Sequence, residues 1–96
     1  MSERITLTEA MVVRLKRSSR LRFDKARGIH TLLVPERVVV LNESSVMIIE
    51  ALDGRSIGAI LDDFAVKFTA PREVIAADLL KMLQDFTDKG YLDITP

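Results

Sequence analysis

Side chains able to perform acid–base or metal chemistry are few in this sequence of 96 residues. His30 is the single histidine, and it stands in a strand pattern without an obvious carboxylate partner. We therefore interpret His30 as an ordinary strand residue and not as a base or a metal ligand. The chain has no cysteine, which excludes a thiolate zinc site, a cysteine nucleophile and a disulfide.

The acidic residues do not form a paired-carboxylate site. Asp62 and Asp63 are adjacent in a helical pattern, so their side chains point about 100° apart. Asp85 and Asp88 share a helix face, but Asp85 also precedes Lys89 by four residues, which is the spacing of a solvated ion pair. We therefore predict that the chain is not an enzyme, has no metal site and holds no cofactor.

Charge is distributed unevenly although the net charge is zero. Residues 1–41 contain nine Lys and Arg against four Asp and Glu, whereas residues 42–96 contain five against ten. A molecule with this polarity can orient against a charged partner. The alternative interpretation of the basic segment is a solvated strand face followed by a loose arm.

The positions of the elements follow from periodicity and capping residues. Alternating or β-branched segments predict strands at Arg20–Asp24, Ile29–Val34 and Arg37–Leu41. Three helical stripes follow, which begin near Asn42, Ser56 and Pro71. Residues 91–94 form either a short last strand or an extended tail. The order predicts an α+β domain of winged-helix type, with a three-stranded antiparallel sheet followed by three helices.

Residues 1–15 have no clear pattern, although Thr8–Val12 could begin a short helix. We expect these residues to be an arm that is mobile or takes its structure from a partner, and residues 16–96 to be the domain. No secretory signal or membrane-spanning run is present, so we expect no membrane association. The absence of cysteine fits the reducing cytoplasm, where we expect the chain to act.

The segment Arg37–Leu41 carries the most information about binding. A three-stranded sheet has two edges, and an apolar edge strand can pair with an extended peptide through its backbone. The alternative is a central strand that lies entirely in the core, because valine-rich runs are often buried strands.

Four blocks of the sequence resemble the PqqD family. They are Arg20–Gly28, Leu33–Asn42, Ile49–Gly54 and Ala70–Val74, and the resemblance covers about residues 20–93. It implies a domain that takes part in making pyrroloquinoline quinone, a redox cofactor built from a Glu and a Tyr of the ribosomal peptide PqqA. Such domains bind PqqA and present it to PqqE, a radical SAM enzyme with iron–sulfur clusters.

The resemblance also implies where the peptide binds. Family members take a leader peptide as an added strand beside the third strand and against the third helix. We therefore expect the peptide groove to consist of Arg37, Val38, Val39, Val40 and Leu41, with Leu79 and Leu83 on the third helix. Leu79 and Leu83 could equally belong to the core. For the contact with PqqE we predict the basic block, defined as Arg20, Arg22, Lys25 and Arg27.

Two alternatives remain open at the level of sequence. A winged-helix DNA-binding module fits the order of the elements, but the helix that would enter the groove carries more acidic than basic residues. A structural homodimer is the second alternative, because apolar edge strands also pair with themselves. The sequence is therefore compatible with a monomer or a homodimer.

Overall fold

The computed structural model describes residues 5–95. Within this range the chain forms an α+β fold, as predicted from the sequence. The first strands are β1 (Val12–Leu15), β2 (Arg20–Asp24), β3 (Ile29–Val34) and β4 (Arg37–Leu41). They are followed by α1 (Glu43–Glu50), α2 (Ile57–Phe68), α3 (Arg72–Asp88) and β5 (Leu92–Thr95). The three predicted strands, which are β2, β3 and β4, and the three helices that follow them are thus confirmed. β1 was not predicted, and the segment after α3 is a strand.

The central sheet has the antiparallel order β2-β3-β4. Gly28 has a φ of +67°, the conformation predicted for it in the turn between β2 and β3. Because proline cannot adopt the positive φ of a type I′ hairpin, the sequence predicts a type I turn or a longer loop between β3 and β4. In the structure, Val34 instead pairs with Arg37, and only two residues connect the strands. Since the ring of Pro35 fixes a negative φ, Glu36 takes the positive value of +69°, as in a type II turn.

The predicted capping residues begin the first two helices. The Asn42 side chain accepts a hydrogen bond from the Ser45 N–H at 2.8 Å, and the Ser56 hydroxyl accepts one from the Ala59 N–H at 3.2 Å. The apolar stripes of α2 and α3 then meet the inner face of the sheet in one core. Its fully buried members include Leu32, Ile57, Ile60, Leu61, Leu79 and Leu83.

Residues 5–15 differ from the expected mobile arm and from a helix beginning at Thr8. β1 pairs with β5, with Val13 opposite Ile94. Leu7 is buried, and its N–H donates to the Gln84 side chain at 2.9 Å. Residues 5–15 are therefore packed against the domain, because β1 finds its partner strand at the far end of the chain. Residues 1–4 of the predicted arm lie outside the described residues.

Candidate functional site

β4 lies at an edge of the three-stranded sheet, and β3 is its central strand. The alternative in which Arg37–Leu41 is a central core strand is therefore wrong. The side chains of β4 alternate between two surroundings: Val38 and Val40 are 60% and 66% exposed on the outer face, whereas Val39 is half-buried and Leu41 is buried. Two valine side chains are thus exposed to solvent on a strand that pairs with β3 on one side only.

The register indicates which backbone groups of β4 are available. In an antiparallel pair, hydrogen-bonded and non-hydrogen-bonded residue pairs alternate along the strands. Val34 and Arg37 close the two-residue turn, so we infer that they form a hydrogen-bonded pair, as do Leu32 and Val39. The N–H and C=O groups of Val38 and Val40 then point away from β3, toward the open edge.

Two cavities lie against α3 near the two ends of β4, and we infer that the space between them, along the open edge of β4, forms a groove, which we call the β4–α3 groove. At one end, the turn residues Val34–Arg37 face Lys89, Gly90 and Tyr91 across a cavity of about 470 Å³. Toward the other end, Ser45 in α1 faces α3 across a cavity of about 660 Å³. β4 runs from Arg37 to Leu41, between the residues that line these two cavities, so we infer that its open edge and one side of α3 are the two walls.

The helical wall of the groove differs from the one predicted. Leu79 and Leu83 are 1% and 0% exposed and belong to the core, so they do not form the surface that an added strand would meet. The residues of α3 that line the groove cavity are Asp78, Lys81, Met82, Gln84, Asp85, Phe86 and Asp88. Met82 belongs to the apolar stripe of α3, but it is only partly buried and also lines this cavity.

The groove is mixed in charge. On α3, the Lys89 ammonium lies 3.0 Å from the Asp85 carboxylate, so each neutralises the other in part. Lys81 and Asp78 are exposed on the same wall. Arg37 is exposed at the start of β4 on the opposite wall. An apolar floor with charges of both signs at its rim suits a peptide with mixed side chains.

The basic block lies at the other edge of the sheet. Arg20 and Arg22 are exposed on β2, and Lys25 and Arg27 are exposed in the turn that follows. Arg27 approaches Asp24 at 3.9 Å. Since β3 separates β2 from β4, the basic block and the open strand edge are about 10 Å apart across the sheet. The structure therefore keeps these two predicted surfaces separate.

The other candidate residues have structural partners. The His30 ring packs against the Phe23 ring with centroids 4.7 Å apart. Asp62 accepts a hydrogen bond from Arg72 at 2.7 Å, and Asp63 lies 3.3 Å from the Lys67 ammonium. Over residues 5–95, no three acidic, histidine or cysteine side chains gather as a metal site would require. Nor does this range contain a helix that is long and apolar enough to cross a membrane.

A small α+β fold with an open strand edge beside a helix is the arrangement of domains that recognise an extended peptide by adding it to a sheet as a strand. Comparison with known proteins then identifies the family: the model described as "Coenzyme PQQ synthesis protein D (PqqD)" matches residues 30–92. The chain belongs to the PqqD family, as its sequence blocks had indicated.

Relatives match over almost the whole chain. A protein named "PqqA binding protein" from Rhodopseudomonas palustris (strain BisB5) is 45% identical over 95% of this chain and 90% of its own length. One of the same name from Gluconobacter oxydans is 38% identical over 90% of this chain and 91% of its own. The "Bifunctional coenzyme PQQ synthesis protein C/D" of Methylorubrum extorquens is 37% identical over 85% of this chain but only 22% of its own length.

A solved structure gives the same result for the fold. The solution NMR structure of the PqqD truncation of Methylobacterium extorquens PqqCD matches with a TM-score of 0.73 and 37% identity, over 85% of this chain and 88% of that one. Its description is a functional, stand-alone recognition element for ribosomally synthesized, post-translationally modified peptides. The α+β fold is thereby confirmed. The prediction that the chain is not an enzyme is confirmed by its membership of a family of binding proteins.

Proposed function

We propose that this protein is a peptide chaperone that binds the precursor peptide PqqA along β4 and presents it to the radical SAM enzyme PqqE. The observation that carries the proposal is the open edge of β4, with exposed Val38 and Val40 beside the β4–α3 groove, in a member of the PqqD family. Binding of PqqA is supported further by the names of the relatives matched over most of their length.

The mechanism is positioning, not bond chemistry. PqqA pairs its backbone with the outward N–H and C=O groups of Val38 and Val40 and becomes an additional strand. Alternate side chains of the peptide then enter the β4–α3 groove, where they contact Met82 and Phe86. Fixing the peptide in one extended conformation reduces the conformational entropy that PqqE would otherwise have to remove.

Presentation requires that peptide and enzyme are bound together. The basic block is at the β2 edge, so PqqE can contact it while PqqA occupies the β4 edge. Holding both increases the effective concentration of PqqA at the enzyme. The four cations are exposed, which favours long-range attraction toward an acidic surface on PqqE.

The register of β4 permits a sharp test with proline. Proline removes one N–H, so Val40→Pro eliminates an outward donor and leaves the bonds to β3 intact. We expect this variant to fold normally and to lose most of its PqqA affinity. Val39→Pro is the matched control, because it removes an inward donor and should lower the melting temperature. Thermal unfolding and calorimetric titration with PqqA, performed on both variants, separate these effects.

Hydrogen exchange provides the second measurement. Saturating PqqA should slow exchange of the Val38 and Val40 amides more than that of amides in β2. Should PqqA protect only α1 and α2 and leave β4 unchanged, strand addition at this edge is wrong. A Val40→Pro protein that folds and binds PqqA with unchanged affinity would contradict the proposal in the same way.

The two alternatives have less support. Of the basic residues at the ends of α3, Arg72 is bound to Glu9 and Asp62, and Lys89 pairs with Asp85. These pairs reduce the positive charge that duplex DNA would require. A homodimer formed through β4 would occupy the same edge as PqqA, so it would compete with the peptide. Sedimentation with and without PqqA distinguishes this case.

A further inference from the structure

A second cavity adjoins the β4–α3 groove, and we call it the Met47–Phe68 pocket. It measures about 220 Å³ and lies where all three helices meet. Its lining is almost entirely apolar: Met47, Ile48, Phe64, Phe68, Ile75 and Leu79, with Ser44 and Asp78 at the polar side. Met47 and Phe68 are 41% and 47% exposed, although Phe68 continues the core stripe of α2.

The pocket lies next to the groove. Asp78 lines both cavities, and the neighbouring residues Ser44 and Ser45 line one each. α3 has 17 residues and is therefore about 25 Å long, whereas the five residues of β4 span about 17 Å. A peptide that follows α3 beyond the end of β4 therefore reaches the pocket.

Building on the proposed function, we propose that the Met47–Phe68 pocket binds one large aliphatic or aromatic side chain of PqqA, from a part of the peptide beyond the segment paired with β4. The pocket is smaller than the roughly 300–1,000 Å³ typical of small-molecule sites, so a single side chain is the fitting occupant. Asp78 at the junction accepts a hydrogen bond from a peptide N–H as the chain passes.

The pocket and the β4 edge would then have different roles in binding PqqA. Backbone pairing at β4 is insensitive to the side chains of the ligand, so it cannot by itself distinguish PqqA from another extended peptide. An apolar pocket at a fixed distance from the strand requires a large apolar side chain at the matching position of the peptide. The pocket therefore contributes selectivity and fixes the register of the added strand.

The test compares two substitutions on one helix. Phe68→Ser removes a wall of the pocket, whereas Val66→Ser is the matched control because Val66 is 81% exposed and lines neither cavity. Calorimetric titration with PqqA should show a roughly tenfold loss of affinity for Phe68→Ser and no change for Val66→Ser. Hydrogen exchange should still show protection of β4 by PqqA in the Phe68→Ser protein.

A second variant guards against a folding defect, since Phe68 packs on Phe64 with ring centroids 5.6 Å apart. Met47→Ser opens the pocket from α1 and should weaken PqqA binding to a similar extent. If both variants bind PqqA with wild-type affinity, the pocket does not take part in binding, whereas the proposal of strand addition at β4 is unaffected. If PqqA fails to bind the wild-type protein, the proposed function is overturned together with the pocket. If Phe68→Ser instead dissociates a homodimer of the free protein, the pocket is a self-association surface and the inference is wrong.

Discussion

The two edges of the three-stranded sheet differ in how they are protected. On β2, Arg20 and Arg22 are exposed, so another strand approaching this edge meets charged side chains. On β4, Val38 and Val40 occupy the corresponding positions of the same outer face. Charged side chains are a common means by which proteins prevent unwanted strand pairing. The β2 edge is therefore protected by charged side chains, whereas the β4 edge is open to a partner strand.

The contrast between the two edges supports the proposal that the peptide binds at β4. An unguarded apolar edge is a risk for aggregation, and in a protein whose ligand is itself a strand the same feature is the binding site.

The largest effect on PqqA affinity is expected when charged side chains replace the exposed valines of β4, as on β2. Lysine at both positions, in the double variant Val38→Lys/Val40→Lys, places charge where PqqA would pair. Both side chains are exposed, so the fold should persist. We expect PqqA affinity to fall by more than about tenfold, measured by calorimetry beside a thermal unfolding control.

The reciprocal change supplies the control for this experiment. The double variant Arg20→Val/Arg22→Val removes the exposed charges from β2 and should leave PqqA affinity unchanged. Self-association of this variant, measured by sedimentation, should increase. If the lysine variant binds PqqA as tightly as the wild type, edge charge does not determine where the peptide binds.

A smaller effect is expected from reversing the charge of the basic block. Arg20→Glu/Arg22→Glu should slow association with PqqE by about tenfold at low salt, because attraction to an acidic surface becomes repulsion. The rate for the wild type should decrease with added salt, whereas that for the variant should not. Stopped-flow measurements report both rates. If the variant instead loses PqqA binding but associates with PqqE as the wild type does, the basic block belongs to the peptide site.

The smallest effect concerns residues 5–15, whose strand β1 pairs with β5 and is not part of the three-stranded sheet. Hydrogen bonding by the Arg72 guanidinium lowers the pKa of Glu9 below its ordinary value of 4.5. A carboxylate with a lowered pKa in the folded state contributes stability that is present above pH 4.5 and is lost as the pH falls through the folded value. The difference in melting temperature between wild type and Arg72→Gln should therefore be largest at neutral pH and shrink in acid.

An amide probe makes this last prediction specific. The Gly58 N–H donates to the Glu9 carbonyl oxygen at 2.8 Å, so its exchange reports on the docking of this segment. Exchange at Gly58 should be faster in Arg72→Gln at neutral pH, with β4 amides unchanged. Equal exchange in the two proteins would show that the ion pairs do not hold the segment.

Local signals were sufficient to predict most of the fold. The strands from Arg20 to Leu41 follow from alternation and turn residues, and α1 and α2 begin at Asn42 and Ser56 because their side chains satisfy free backbone donors. β1 was missed because its four residues have no local signature, and its partner β5 lies about 80 residues further along the chain.

For a related reason, the sequence predicted the strand that borders the groove but not the residues of α3 that line it. The apolar strand Arg37–Leu41 could be recognised as a strand from sequence, but its place at the edge depends on the order of strands in the folded sheet. On α3, a stripe of spacing three and four identifies the apolar face without fixing its rotation. A rotation of one position separates buried Leu79 and Leu83 from Met82, which lines the groove.

The pairing of β1 with β5 bears on how this domain can be linked to other proteins. Val12 lies opposite Thr95, so the first and last strands of the described residues are neighbours in one strand pair. A domain whose first and last strands are adjacent can be appended to another protein, or inserted into a surface loop, with little change in its own structure. The bifunctional relative, in which a PqqD-like region is one part of a much longer chain, is an arrangement of this kind. The same adjacency makes the fold a candidate for circular permutation, with new ends opened at the exposed turn between β2 and β3.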